Sequence, residues 1–276
     1  MIDIQNISFR YAGQKGLVFS HFNLQLTENR IYGLLGKNGT GKSTLLYLIA
    51  GLLRPQMGEV SIDGMLATER RPEMLENLFI VPEEFELPAM KLEDYVKMNE
   101  PFYPRFSREV LERCMKEFEL PTDIDLQSLS MGQKKKAFMS FALATQTPLL
   151  LMDEPTNGLD IPAKSQFRKV VAENMSDDRT LIISTHQVHD VEQLLDHIVM
   201  IDSDKLLLNE SVSSLMEKYT FSLRMPSEMD ETVIYAEPSL QGNMVMSHRQ
   251  EGDPETQPNL ELLFNAVIKG NSNSEK

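Results

Sequence analysis

The chain has 276 residues, 27 Lys and Arg against 41 Asp and Glu for a net charge of -14, and one cysteine, Cys114. Such a length builds one substantial core, or a domain of about 200 residues with an appendage. The acidity argues against a broad nucleic-acid-binding surface or unaided adsorption to anionic lipid, and a lone cysteine excludes an internal disulfide framework and a Cys-rich zinc site.

Met1-Ile2-Asp3-Ile4-Gln5 lacks a basic region followed by an apolar core, so no secretion signal is expected. No window carries the roughly 18 uninterrupted apolar residues of a membrane helix. Alternation at Ile2, Ile4, Ile7 and Phe9, and again at Phe22, Leu24 and Leu26, predicts an antiparallel β patch turning at Ala12 to Gly16. Tyr11 at its end is either packing or a ring that stacks on an adenine. The apolar run Ile31 to Leu35 reads as a buried strand entering Gly36-Lys37-Asn38-Gly39-Thr40-Gly41-Lys42-Ser43-Thr44. This is the spacing with which backbone N–H groups surround phosphates, a lysine reaches the outer ones and a hydroxyl meets Mg²⁺. Leu45 to Ala50 follows as a helix stopped at Gly51.

Gly58 to Gly64 predicts a short strand ending in an Asp-Gly turn, and Leu78 to Val81 a buried strand stopped by Pro82 before the acidic stretch Glu83-Glu84-Phe85-Glu86. Ser107 caps a helix over Arg108 to Glu119, whose stripe Val110, Leu111, Cys114, Met115 and Phe118 makes Cys114 a core residue. Ser130 with Gln133 forms a capping box for a helix to about Gln146. Leu149 to Met152 is an apolar strand running into Asp153-Glu154, Asp160 caps a helix starting near Pro162, and strand Thr180 to Thr185 opens onto His186. Ile198 to Ile201 and Lys205 to Leu208 predict a closing hairpin. Apolar strands alternating with helices imply a parallel sheet covered on both faces. Past about residue 216, strand candidates at 221–225, 232–236 and 243–246 precede an amphipathic helix, Leu260 to Ile268, and a frayed tail, Gly270 to Lys276.

Asp153 is placed to hold Mg²⁺ beside Ser43, and Glu154 to orient and deprotonate an attacking water. A lone histidine is more often structural, yet His186 falls on the sheet edge where ligands bind. The helix start Ser130-Met131-Gly132-Gln133 is both a cap and an anion site. Lys134-Lys135-Lys136, where cations oppose the helix dipole, reads either as a solvated face or as a group near a partner's nucleotide.

The set resembles the ATP-binding cassette (ABC) ATPase family: phosphate loop Gly36 to Thr44, signature Leu129 to Gln133, Walker B Leu149 to Glu154, a D-loop-like Asn157-Gly158-Leu159-Asp160 and switch histidine His186, over about residues 1 to 215. The fold implied is α/β, a P-loop NTPase of ABC type with an N-terminal antiparallel β subdomain, a mostly parallel core sheet and a helical subdomain at about 84–140. Residues 216–276 then form a small α+β extension with a regulatory or dimer-supporting role. The resemblance further implies a head-to-tail dimer with a second nucleotide-binding subunit, each signature completing the partner's site, and ATP with Mg²⁺ as cofactors. Gly36, Asn38, Gly39, Gly41, Lys42, Ser43 and Thr44 would hold phosphate, Lys42 reaching its β and γ groups, and Tyr11 would stack on adenine. Ser43, Asp153 and Glu83 would serve Mg²⁺, Glu154 would be the general base and His186 the γ-phosphate sensor. Ser130, Gly132 and Gln133 would act in trans, with Asp160 counted in the nucleotide site.

Three departures stand out. Glu83 occupies a position where the family usually has glutamine, Met131 replaces the middle glycine of the signature, and the lysine run follows it. The expected function is an ATP-hydrolysing subunit of an ABC transporter, peripheral on the cytoplasmic face of the cell membrane, with separate permease subunits and no nucleic acid. A soluble ABC ATPase acting on DNA or the ribosome is the runner-up, disfavoured by the single cassette and the absence of sustained heptads. Glu83 and Met131 alone suggest a third reading, a non-hydrolysing nucleotide sensor.

Overall fold

The computed structural model describes residues 1–27 and 29–274, with side chains to residue 270. β1 (Ile2–Phe9) and β2 (Phe19–Leu26) pair antiparallel, Ile2 opposite Leu26 and Ile4 opposite Leu24, so the alternating apolar positions share one buried face. β3 (Ile31–Leu35) is buried throughout, and α1 (Lys42–Ile49) follows the glycine loop. β4 (Met57–Ile62) and β5 (Met65–Leu66) meet at the expected Asp63-Gly64 turn, and β4 returns to pair antiparallel with β1. The N-terminal sheet therefore runs β2-β1-β4-β5.

α2 (Pro72–Leu75) leads into β6 (Leu78–Val81), after which α3 (Leu92–Asn99), α4 (Arg108–Glu117) and α5 (Met131–Ala144) form a helical layer. Ser107 caps α4, its Oγ accepting from the Val110 N–H at 3.2 Å. The α4 stripe is buried as its spacing predicts, and burial pushes the Cys114 thiol up to about 11, which makes it inert packing.

β7 (Leu149–Asp153), α6 (Ile161–Glu173), β8 (Thr180–Thr185), β9 (His197–Asp202) and β10 (Lys205–Ser211) complete a second sheet in the order β10-β9-β3-β8-β7-β6. It is parallel from β9 to β6, and β10 closes it as the antiparallel arm of the predicted hairpin. Side chains alternate across a strand, so both faces bury. Tyr32, Leu34, Leu149, Leu151 and Ile182 pack with α1 and the N-terminal sheet. Ile31, Leu35, Leu150, Met152, Leu181 and Ile183 pack with the helical layer. Register sets Leu35 beside Thr185 and Asp153 beside Ser184, so Gly36, Glu154 and His186 leave the sheet at one edge.

α7 (Val212–Lys218), which the sequence pattern does not reveal, leads to β11 (Tyr219–Arg224), β12 (Val233–Ser239) and β13 (Gly242–His248), antiparallel in the order β11-β13-β12. α8 (Leu260–Ser274) follows, with Leu260, Leu262 and Leu263 buried in the same core as α6 and β8. The helix continues past Gly270, where fraying was expected; residues 275–276 lie outside the described residues.

Candidate functional site

The loop between β3 and α1 is shaped by backbone demands that only glycine meets. A Cβ on Gly36 would lie 2.6 Å from Thr40 Oγ1 and 2.7 Å from the Ile201 carbonyl. Gly41 sits at φ +98°, in the left-handed region, and is the cap of α1 with no side-chain hydrogen bond. The first N–H groups of α1 are thus turned toward the loop, at the positive end of the helix dipole. Lys42, buried, folds its Nζ onto the carbonyls of Gly36 (2.9 Å) and Lys37 (3.2 Å) and stands 3.8 Å from Glu154 Oε1. Burial lowers its pKa, while the carboxylates of Glu154, Asp153 and Glu83 pull it back up.

A cleft of about 550 Å³ opens over this loop and brings together Tyr11, Asn38, Gly39, Gly41, Lys42, Ser43, Thr44, Glu83, Glu154, Asn157 and His186. The Tyr11 hydroxyl lies 3.0 Å from Thr44 Oγ1, and its ring stands edge-on to Phe9, so it is tied to both the loop and the N-terminal sheet.

The carboxylates are held unequally. Asp153 Oδ1 accepts from the Ser184 hydroxyl, and the nearby Ser43 hydroxyl also favours the ionised form. Asp153 Oδ2 is buried with no hydrogen-bond partner among the described residues. Burial drives the Asp153 pKa up, and Glu154 and Glu83 push it further the same way. An orphaned carboxylate oxygen beside a hydroxyl fits a magnesium ion, since Mg²⁺ commonly takes one or two carboxylates with water and substrate phosphates.

Glu154 is fixed at every polar atom named here. Its N–H donates to the Ser184 carbonyl (2.9 Å), its Oε2 accepts from Thr185 Oγ1 (3.0 Å), and its Oε1 meets the His186 N–H (3.0 Å) and Nδ1 (2.7 Å). Glu83 is exposed and its Oε1 accepts from the Asn157 side-chain amide at 2.8 Å.

The signature residues stand apart from this cleft. The capping box forms: Ser130 Oγ accepts from the Gln133 N–H at 3.3 Å and Gln133 Oε1 from the Ser130 N–H at 3.0 Å. Ser130 and Gln133 are exposed, Met131 is 66% exposed, and Gly132 is half-buried near the Gly158 carbonyl. Asp160 caps α6 through the Ala163 N–H (2.9 Å) and likewise does not line the cleft. The lysine run is not a uniformly solvated face. Lys135 is buried, its Nζ donating to the carbonyls of Glu154 and Asn157, and Lys136 donates to Gln166 Oε1 at 3.1 Å. Lys135 lies one turn beyond Met131 on the same side of α5, and it is buried because that side meets the Glu154 to Asn157 turn there.

Sequence reasoning missed Asn157, Ser184 and Thr185 as site residues. The signal was present in the last two: hydroxyls at the end of an otherwise apolar buried strand require partners, and here those partners are Asp153 and Glu154.

No described helix is long and apolar enough to cross a membrane. A sequence model described as ABC transporter matches residues 19–157. The chain is 24% identical over 242 residues to the "ABC transporter ATP-binding protein YtrB" of Bacillus subtilis (strain 168), covering 87% of this chain and 82% of that protein. It is 31% identical over 224 residues to the "Methionine import ATP-binding protein MetN" of Carboxydothermus hydrogenoformans, covering 75% of this chain and 65% of that protein. Among solved structures, the dimeric post-hydrolysis state of the ATP-binding cassette MJ0796 bound to ADP and Pi superposes with a TM-score of 0.66 at 24% identity, over 76% of this chain and 98% of that one. The expected α/β cassette fold agrees with that likeness.

Proposed function

The chain belongs to the ABC transporter family as an ATP-binding, ATP-hydrolysing subunit powering transport through separate membrane subunits, and we propose how its residues do this. The observation that carries the reading is the convergence of Lys42, Ser43, Glu154 and His186 on one cleft, with the Asp153 oxygen left unpartnered beside it. The loop N–H groups and Lys42 bind the phosphates, Lys42 exchanging the carbonyls of Gly36 and Lys37 for the β and γ oxygens. Tyr11, braced on Thr44, offers its ring to the adenine. Asp153 and Ser43 hold Mg²⁺, with Glu83 at the rim; when bound, the ion neutralises phosphate charge. Glu154, aimed by Thr185 and His186, orients the attacking water and takes its proton, and His186 contacts the γ-phosphate from the same edge.

The exposed start of α5 and its separation from the cleft support action in trans: Ser130, Gly132 and Gln133, with Asp160 at the start of α6, complete the site of a second, head-to-tail cassette. A cavity of about 600 Å³ lies where Leu52, Pro72, Leu75 and Ile80 face Pro101, Phe102 and Tyr103, and Phe102 is 68% exposed. This apolar groove beside the helical layer suits a short helix of a permease subunit, which would hold the protein on the cytoplasmic face of the cell membrane. Residues 216–276 act as a regulatory or dimer-supporting extension.

ATP turnover by the purified protein should require Mg²⁺ and vanish on chelation. Affinity purification from membranes should recover a polytopic protein, and Phe102→Glu should release it while sparing ATP binding. Recovery of soluble or ribosomal partners alone would overturn the transporter assembly.

A further inference from the structure

Helix α5 carries one buried charge that the reaction above does not use. Lys135 is 6% exposed, and its Nζ donates at 2.9 Å to the Glu154 carbonyl and at 2.9 Å to the Asn157 carbonyl. Burying an ammonium is costly, and an apolar side chain of similar volume would often fill such a space at no loss of stability. The penalty is visible as a lowered pKa, burial outweighing the pull of the Glu83, Glu154 and Asp153 carboxylates. The two carbonyls that Lys135 joins are the ends of one turn, itself closed by the Asn157 N–H on the Glu154 carbonyl at 3.1 Å. Glu154 opens that turn at φ +44°, left-handed backbone that a non-glycine residue keeps only where its surroundings over-determine it.

We propose that Lys135 is a positioning residue for ATP hydrolysis: its ammonium locks the Glu154 to Asn157 turn and so aims the Glu154 carboxylate. This rests on the reading of Glu154 as general base. Two connections follow from the same contacts. Asn157, whose carbonyl Lys135 holds, gives its side-chain amide to Glu83, so the turn is tied to the segment that begins the helical layer. Lys135 also lies on the helix that Ser130 caps and whose first turn carries Gly132, so one helix joins the signature end to the turn that bears Glu154.

The test uses the full-length chain, with turnover and the affinity for a non-hydrolysable ATP analogue measured in parallel. Lys135→Met should lower kcat about 10- to 100-fold, the scale of a misplaced catalytic group, while analogue affinity stays within about threefold, the pattern of an interaction needed only for the chemical step. Lys135→Arg, which keeps donors for both carbonyls, should recover most of the loss. If Lys135→Met does not fold, Lys135→Gln takes its place under the same criteria. Wild-type kcat in the folded variant overturns the proposal, as does a parallel loss of kcat and affinity without rescue by arginine. Turnover that survives Glu154→Gln overturns the base assignment and this inference with it; turnover lost there but intact in Lys135→Met overturns this inference alone.

Discussion

In the function proposed above, the Glu154 carboxylate and the Ser130 hydroxyl both serve a terminal phosphate, and the chain holds them in opposite ways. Glu154 is buried, with Thr185, the His186 backbone and the His186 ring on its two oxygens and Lys135 on its carbonyl. Ser130 is exposed, and its hydroxyl accepts from the Gln133 N–H within the capping box. A group that must act at a fixed point gains from an environment organised before the reaction begins. A group whose ligand comes from another chain has nothing to be organised around until that chain arrives. Under the proposed roles, the difference teaches that one polypeptide contains a finished base and an unfinished phosphate contact.

The largest expected effect breaks the finished side. Glu154→Gln keeps the size of the side chain and removes its ability to take a proton, and kcat should fall by about 10²- to 10⁴-fold, the usual worth of a positioned general base. ATP affinity should be retained, because Lys42 and the loop are untouched. Turnover and equilibrium binding of the nucleotide check this together. Unchanged turnover would make the buried cluster purely structural, and the contrast with Ser130 would lose its meaning.

A smaller effect sharpens the unfinished side. Ser130→Arg should abolish turnover alone, as Glu154→Gln does, yet mixing the two variants should restore about a quarter of wild-type activity if the chains pair at random and each mixed dimer keeps one intact composite site. The intact site takes its loop and base from one chain and its signature from the other. No recovery on mixing, with exchange of chains verified, would mean that Ser130 serves its own chain's nucleotide.

Most of the first region was legible in the sequence because its parts are local. The loop spacing from Gly36 to Thr44, the apolar strands ending at Asp153 and Thr185, and the Ser130 capping box each follow from a few adjacent residues. What the sequence concealed is what depends on rotation and register. Lys135 reads as one of three equivalent lysines until the turn of α5 is known to point it beneath Glu154. The Ser184 hydroxyl signals a need for a partner, but only parallel register names Asp153 as that partner. Asn157 shows no link to Glu83, 74 positions away, until the fold closes. The extension was legible only as elements, since its weak alternation predicts strands at 221–225, 232–236 and 243–246 but says nothing of where α8 lands.

α8 lands against the edge of the finished side, and the smallest effect is expected there. A cavity of about 580 Å³ is lined by Phe264 and Asn265 of the helix and by Lys37, His186 and Val188, and His189 and Glu261, joined Nε2 to Oε2 at 2.7 Å, line it too. Glu192 Oε2 approaches the other ring nitrogen at 3.5 Å. The hydrogen bond to Glu261 raises the His189 pKa above its ordinary value, against a lesser opposing effect of burial. A raised folded-state pKa means that the contact stabilises the docked helix fully below the ordinary imidazole value of about 6.5 and loses that contribution as pH rises through the raised value. Because His189 is 63% exposed, solvent screens the pair and the effect on stability is small. NMR titration should find a His189 midpoint above that of a free imidazole, and Glu261→Gln should bring it down. A normal midpoint that Glu261→Gln leaves in place would mean that α8 reaches the His186 edge without this latch, held by the burial of Leu260, Leu262 and Leu263 and by Asn265 on Glu237.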